Sequence, residues 1–333
     1  NMAMQPFKMM VGDMVNEKQK GLAYSIQSFL CNAGSLVGFL FPFIFTWIGI
    51  SNIAPQGVVP DSVIYSFYIG AAILILCVIY TTVKVKEMPP AEYAEYHGIT
   101  EEEKKEKINM VKLLVKAPKA FWTVGLVQFF CWFAFMFMWT YTNGSVAANV
   151  FDAPTVETVV NGASKVVLDT KSIQYQNAAD WVGVLFAVQA IGSVLWAVCI
   201  PLFKNRKQIY SLSLVLGGIG FISTYFVHNQ YVLFISFLLI GCAWAAMLAL
   251  PFTILTNALS GGHMGTYLGL FNGTICIPQI VAATLGGSIL ALFTPKGMLP
   301  PEINMLVMAG VMLIIGAVCV YLIKETKGEE AKA

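Results

Sequence analysis

The chain has 333 residues, 57% of them hydrophobic and only 11% charged, with a mean hydropathy of +0.71. Soluble domains carry roughly 25% charged residues, so a chain this long and this apolar has too little polar surface to cover a water-soluble core. The net charge of +2, with its lysines spread over separate loops, gives no ground for a nucleic-acid partner and leaves the lipid bilayer as the expected one.

Crossing a hydrocarbon layer of about 30 Å takes roughly 20 apolar residues. In chain order, Asn1–Val15 reads as most of one helix, apolar from its first residues and without the charged region that opens a signal peptide. Full spans are predicted at Leu22–Trp47 and Val63–Val83. The segment Lys84–Lys119 then holds eight lysines, Met88-Pro89-Pro90 and the run Glu101-Glu102-Glu103-Lys104-Lys105-Glu106-Lys107, the pattern of a solvated linker. Its end, Ile108–Leu114, is suited to lie along a membrane surface. Six more spans follow at Phe121–Tyr141, Trp181–Phe203, Ile209–Val227, Tyr231–Leu255, Thr266–Phe293 and Asn304–Ile323, for about nine in all.

Basic loops alternate with poor ones. Lys18 and Lys20, the 84–119 segment, the cluster Lys204, Arg206 and Lys207, and the tail with Lys324, Lys327 and Lys332 fall on one side; Ser51–Ser62, Asn143–Asp180, His228–Gln230 and the loop with Lys296 fall on the other. By the positive-inside rule the linker and the C-terminus are cytoplasmic, in a plasma membrane, the inner membrane if the source is bacterial. The seven cysteines stand singly, nearly all in apolar runs, so neither a disulfide framework nor a metal site is expected. No phosphate-binding glycine loop, H-E-x-x-H pair or nucleophile–histidine–acid set occurs. The chain is not expected to be an enzyme or to need a cofactor, and any work it does would draw on an ion gradient.

An internal repeat sets the architecture. Gln5-Pro6-Phe7, a helix end, and Gly21 opening a span correspond to Leu250-Pro251-Phe252, a helix end, and Gly265 opening a span. Both stretches are followed by one last helix. Parallel six-helix repeats are the plan of the major facilitator fold. Three complete spans precede Pro251 in the second repeat and none precedes Pro6, so the expectation is an all-α membrane protein comprising helices four to twelve of a 6+6 bundle, with the first three absent. The divisions are then residues 1–83, the rest of the N-terminal half; 84–120, a cytoplasmic linker; 121–323, the C-terminal six-helix half; and 324–333, a cytoplasmic tail.

Particular motifs narrow this. Pro6-Phe7-Lys8, Asp13-Met14-Val15-Asn16-Glu17-Lys18-Gln19-Lys20-Gly21 and Ser25-Ile26-Gln27-Ser28-Phe29 resemble the fourth-to-fifth helix junction of sucrose/maltose-type symporters, within the glycoside–pentoside–hexuronide group of the major facilitator superfamily. Met264-Gly265-Thr266-Tyr267-Leu268-Gly269-Leu270-Phe271-Asn272 with Ile277-Pro278-Gln279-Ile280 is similar to the tenth-to-eleventh junction, and Asn177–Ala187 to the start of helix eight. The resemblance covers essentially the whole chain and discriminates the family better than the substrate. Relatives often carry Arg where this chain has Lys8, which keeps the charge but loses the planar fork. Such families often place a coupling carboxylate in the first three helices.

Ionisable residues inside a membrane are costly and mark function. Among the spans only Lys8 and Asp13 qualify: Lys8 as a cavity residue that binds hydroxyls or tunes a carboxylate, Asp13 as a cytoplasmic gate or, more plainly, a partner for Lys18. A sugar site needs amides for hydroxyls and flat rings for C–H faces. Gln128, Trp132, Phe135 and Trp139 share one face of their span; Gln189, Ser193 and Trp196 share another; Asn272, Cys276 and Gln279, and Gln27, Cys31 and Gly34, do likewise. The candidate substrate contacts are Lys8, Gln27, Gln128, Trp132, Gln189, Trp196, Asn272 and Gln279. The plain alternative is that such amides tie helices together at about 1 kcal/mol or less each. The functional expectation is sugar:cation symport of a disaccharide or glucoside such as maltose or sucrose, coupled to H⁺, by a monomer working through alternating access. The alternatives are an exporter of amphipathic small molecules, a non-transporting membrane sensor or scaffold, and a nine-helix piece with no activity.

Overall fold

A computed structural model describes residues 17–50, 61–86, 110–160, 163–259 and 264–323, together with residues 7, 10, 11, 14, 15, 59, 89 and 92. Ten α-helices and one hairpin are found among them. They are α1 (Glu17–Trp47), α2 (Asp61–Lys84), α3 (Met110–Val115), α4 (Lys119–Asn149), β1 (Thr155–Val160), β2 (Ala163–Leu168), α5 (Ile173–Cys199), α6 (Arg206–Ser223), α7 (Leu233–Ala258), α8 (Met264–Phe271), α9 (Gly273–Phe293) and α10 (Ile303–Cys319). Short 3-10 turns, Ile200–Leu202 and Val320–Leu322, extend α5 and α10. Six stretches are long and apolar enough to cross a bilayer: Asp61–Lys84, Lys119–Asn149, Ile173–Leu202, Leu233–Ala258, Gly265–Phe293 and Ile303–Leu322. The protein is therefore a multi-pass helical membrane protein. In hydrocarbon the backbone must satisfy itself, and uninterrupted helices do so.

Helix α7 sits at the centre, packed on α5, α6, α4 and α1. Helix α10 packs on α4 and α6, and α9 on α4. Burial follows this order: 67% of the apolar window is buried in α4 and α7, but only 6% in α2, which leans on α1 through the Phe45–Tyr65 ring contact at 6.5 Å. The rest of the α2 surface is apolar and turned outward, the composition of a lipid-facing helix.

Two glycines let α5 and α7 cross at backbone contact. A Cβ on Gly192 would fall 2.5 Å from the Leu238 carbonyl, and one on Gly241 would strike the Gln189 carbonyl. Small residues at a crossing maximise van der Waals contact where water supplies no drive for association. Pro251 lies within α7 and Pro278 within α9. Each removes one helical hydrogen bond, a loss a membrane helix tolerates when its neighbours enclose the site.

Several boundaries differ from the sequence expectation. Helix α4 runs on to Asn149 rather than stopping at Tyr141, and α5 starts at Ile173 rather than Trp181. Ser172 caps α5 by accepting from the Tyr175 amide at 3.2 Å. The polar turns project beyond the apolar runs, which hydropathy alone cannot see. The loop expected over Asn143–Asp180 contains an antiparallel pair in register Thr155↔Leu168 through Val160↔Ala163. The single span expected at Thr266–Phe293 is found as Gly265–Phe293: α8 and α9 run on through Asn272, whose carbonyl accepts from the Cys276 amide at 3.1 Å. Six-residue α3 occupies most of the stretch expected at a membrane surface, with Met110, Val111 and Val115 exposed.

Candidate functional site

Helix α7 organises the polar and aromatic residues of the interior. Gln128 of α4 is 1% exposed, and its Nε2 donates to the Met247 carbonyl of α7 at 3.0 Å. Four residues further along α4, Trp132 meets Trp244 of α7 edge to face at 5.8 Å. Trp139 meets both, at 6.4 Å from Trp132 and 5.7 Å from Trp244, and Phe135 lies 4.9 Å from Trp244. Three indoles and a phenyl ring thus form one aromatic wall across the α4–α7 contact. Trp139 is 42% exposed, so the wall opens outward at that end. On the adjoining flank of α7, Ser28 of α1 donates to the Ala245 carbonyl at 3.4 Å.

Several buried polar atoms around α7 have no hydrogen-bond partner: Gln128 Oε1, Trp132 Nε1, Gln189 Nε2, Ser193 Oγ and Asn32 Oδ1. A buried polar group without a partner costs about 1–3 kcal/mol, and native interiors keep few of them. Such a set, donors and acceptors both, beside a wall of flat rings is chemically matched to a ligand carrying hydroxyls and C–H faces.

The expected site residues divide. Gln128 and Trp132 (α4) meet α7 directly, and Gln189 (α5) is buried on the helix that crosses α7 at Gly241. Trp196 points elsewhere. Its indole N–H donates to Ser213 of α6 at 2.8 Å, a tie between α5 and α6. The N–H edge of Trp196 is thus turned towards α6. Asn272, at the α8–α9 junction, and Gln279, within α9, are half-buried; the main packing of α9 is on α4. Gln27 donates to the Phe7 carbonyl at 3.3 Å. Lys8 and Asp13 lie outside the described residues.

Sequence reasoning missed Trp244 and Glu302. Trp244 lies in a span so uniformly apolar that no stripe singles it out. Glu302 lies just before α10, outside the apolar run, where a reading confined to the spans does not reach. The Glu302 carboxyl rests against Gly144 of α4, where a Cβ would collide with it. Burial pushes its pKa up to about 7.

Among the described residues no cluster of histidine, cysteine or acidic side chains is arranged to hold a metal ion. No curated protein matches the chain significantly. The family model of the Major Facilitator Superfamily matches residues 2–167 and again residues 146–333. Between them these matches cover nearly the whole chain, and with the helical membrane fold they leave one conclusion: this protein is a transporter that belongs to the Major Facilitator Superfamily.

Proposed function

We propose that the protein is a sugar:cation symporter, taking a neutral disaccharide or glucoside such as maltose or sucrose and coupled to H⁺. The observation that carries this reading is the aromatic wall of Trp132, Phe135, Trp139 and Trp244 with the unpartnered Gln128 Oε1, Trp132 Nε1 and Gln189 Nε2 around the same central helix. Sugars present C–H faces that stack on flat rings and hydroxyls that both donate and accept, so each part of the set has a complement. A greasy, hydrogen-bond-poor ligand would leave those three polar atoms unpaired.

In this reading residues 1–83 and 121–323 act as two halves joined by the linker 84–120, rocking about a site near the midplane. The site would be assembled from Gln128, Trp132, Gln189 and Trp244, with Lys8, Gln27, Asn272 and Gln279 completing it from the flanking helices. Lys8 and Asp13 would serve coupling and gating on the cytoplasmic side. The unit would work as a monomer in a plasma membrane, its C-terminus cytoplasmic. The sugar shifts the conformational balance only by the difference in its affinity for each state, so its best contacts belong to the occluded form.

The test is uptake of labelled sugar into proteoliposomes by the wild type and by Trp132→Ala. Loss of apparent sugar affinity in the variant supports the site; unaltered affinity removes this stripe from it. Lys8→Ala is expected to cut uptake sharply, and unchanged uptake would remove Lys8 from the site.

A further inference from the structure

Glu302 is a carboxylic acid used for nothing that its position would ordinarily supply. It stands at the N-cap of α10, yet its side chain makes no capping hydrogen bond. Two prolines, Pro300 and Pro301, precede it, and the turn is held by the Glu302 amide donating to the Pro300 carbonyl at 2.9 Å and by Asn304 to Pro301 at 3.0 Å. This rigid approach aims the carboxyl sideways at α4, where the missing side chain of Gly144 leaves the notch it fills. Tyr141 stands one turn earlier on the same helix, and its hydroxyl lies against Gly286 of α9. The carboxyl thus sits between the start of α10 and α4, with α9 reached through Tyr141, at the end of the bundle opposite the Lys204–Lys207 cluster.

We propose that Glu302 is a proton-binding site at this end of the bundle, whose neutral carboxyl seats in the Gly144 notch and holds the start of α10 against α4, and whose ionised form leaves the notch for water. The step exchanges one proton between the carboxyl and bulk water on that face. It is independent of which solute is carried.

The groups around it fit that role. From α4 the facing titratable group is the Tyr141 phenol, which offers no positive charge. The other helices packed on α10 are α6 and α9, and neither carries an ionisable side chain in its turns at this end; Tyr225 and His228 follow α6 in its loop. Lys296, in the loop before α10, is exposed. Burial is the cause that raises the Glu302 pKa to about 7 from 4.5, and no described cation offsets it.

The sign follows from that direction. The seated form binds its proton more tightly than the free form does. Seating is therefore strongest below the ordinary carboxylate range, weakens as pH rises towards about 7, and is level above it. The full swing in the seated-to-free ratio is roughly 300-fold, at tenfold per pKa unit.

The test uses the whole protein in lipid nanodiscs. Infrared difference spectra against pH follow the protonated carboxyl band, and hydrogen exchange, corrected for its intrinsic pH dependence, follows the first turn of α10. The wild type should lose a carboxyl band near about pH 7 that Glu302→Gln lacks, and α10 protection should fall between about pH 5 and about pH 7 in the wild type but stay constant in Glu302→Gln. Gly144→Ala should eject the carboxyl, returning its titration to the ordinary range while the fold persists, because only a flexible side-chain end has to move. An ordinary Glu302 titration in the wild type, or the same pH profile of α10 protection in Glu302→Gln, overturns the proposal.

Discussion

Removing Trp244 separates a sugar-stacking wall from mere core packing. Its indole contacts Trp132 at 5.8 Å, Phe135 at 4.9 Å and Trp139 at 5.7 Å. Aromatic pairs are worth about 0.5–1.5 kcal/mol each beyond area, so Trp244→Ala forfeits roughly 1.5–4.5 kcal/mol of ring contact, in line with about 3–5 kcal/mol for Trp→Ala in a core. Trp244→Phe keeps a flat face in the same place and should recover most of it. If a sugar stacks on this wall, Trp244→Ala also raises the apparent KM for uptake by roughly 10- to 100-fold, about 1.4–2.8 kcal/mol, while Trp244→Phe stays within a few-fold. Thermal unfolding in detergent gives the stability change, and uptake kinetics normalised to folded protein give the affinity. A Trp244→Ala variant that is destabilised as expected but keeps its wild-type KM would refute the stacking argument and leave the wall as packing.

Other residues make separable predictions. Gln189→Leu removes a buried donor that has no partner, so stability should hold or rise by up to about 1 kcal/mol while sugar KM increases several-fold; a loss of stability with unchanged KM would assign Gln189 to packing. Ser213→Ala strands the Trp196 indole N–H and should cost about 1–2 kcal/mol without touching sugar KM, and a raised KM would return Trp196 to the site. Gly241→Ala drives a Cβ into the Gln189 carbonyl and should lower stability by about 1–3 kcal/mol through forced separation of α5 and α7; full stability would mean the crossing has slack.

The membrane class and the bundle could be read from long apolar runs because a helix in lipid has only itself to satisfy its backbone. The same simplicity hides which face looks inward. In α4 the spacing of Gln128, Trp132, Phe135 and Trp139 does pick out the face that meets α7, because polar and aromatic residues break the pattern. In α7 the run Leu233–Ala258 is apolar on every side, so Trp244 carries no periodic signal, and only the packed helices reveal it. Trp196 shows the opposite failure: a good stripe whose polar end is spent on Ser213, a neighbour that spacing within one helix cannot identify. Glu302 escaped because a search for ionisable residues inside spans stops at the span edge, while the proline pair turns this one back towards α4. The hairpin had a local signal, the β-branched run Thr155, Val156, Thr158, Val159 and Val160 before Asn161-Gly162 and the pair Val166 and Val167 after it, within a stretch read only as a loop poor in basic residues.

Direct evidence on the proposed activity would come from labelled maltose and sucrose uptake by the reconstituted protein with an imposed inward proton gradient, with no gradient, and with the gradient collapsed by a protonophore. Accumulation above equilibrium is expected for at least one such sugar, present only while the gradient stands. Equilibration without accumulation, or no entry of any sugar tested, would contradict it.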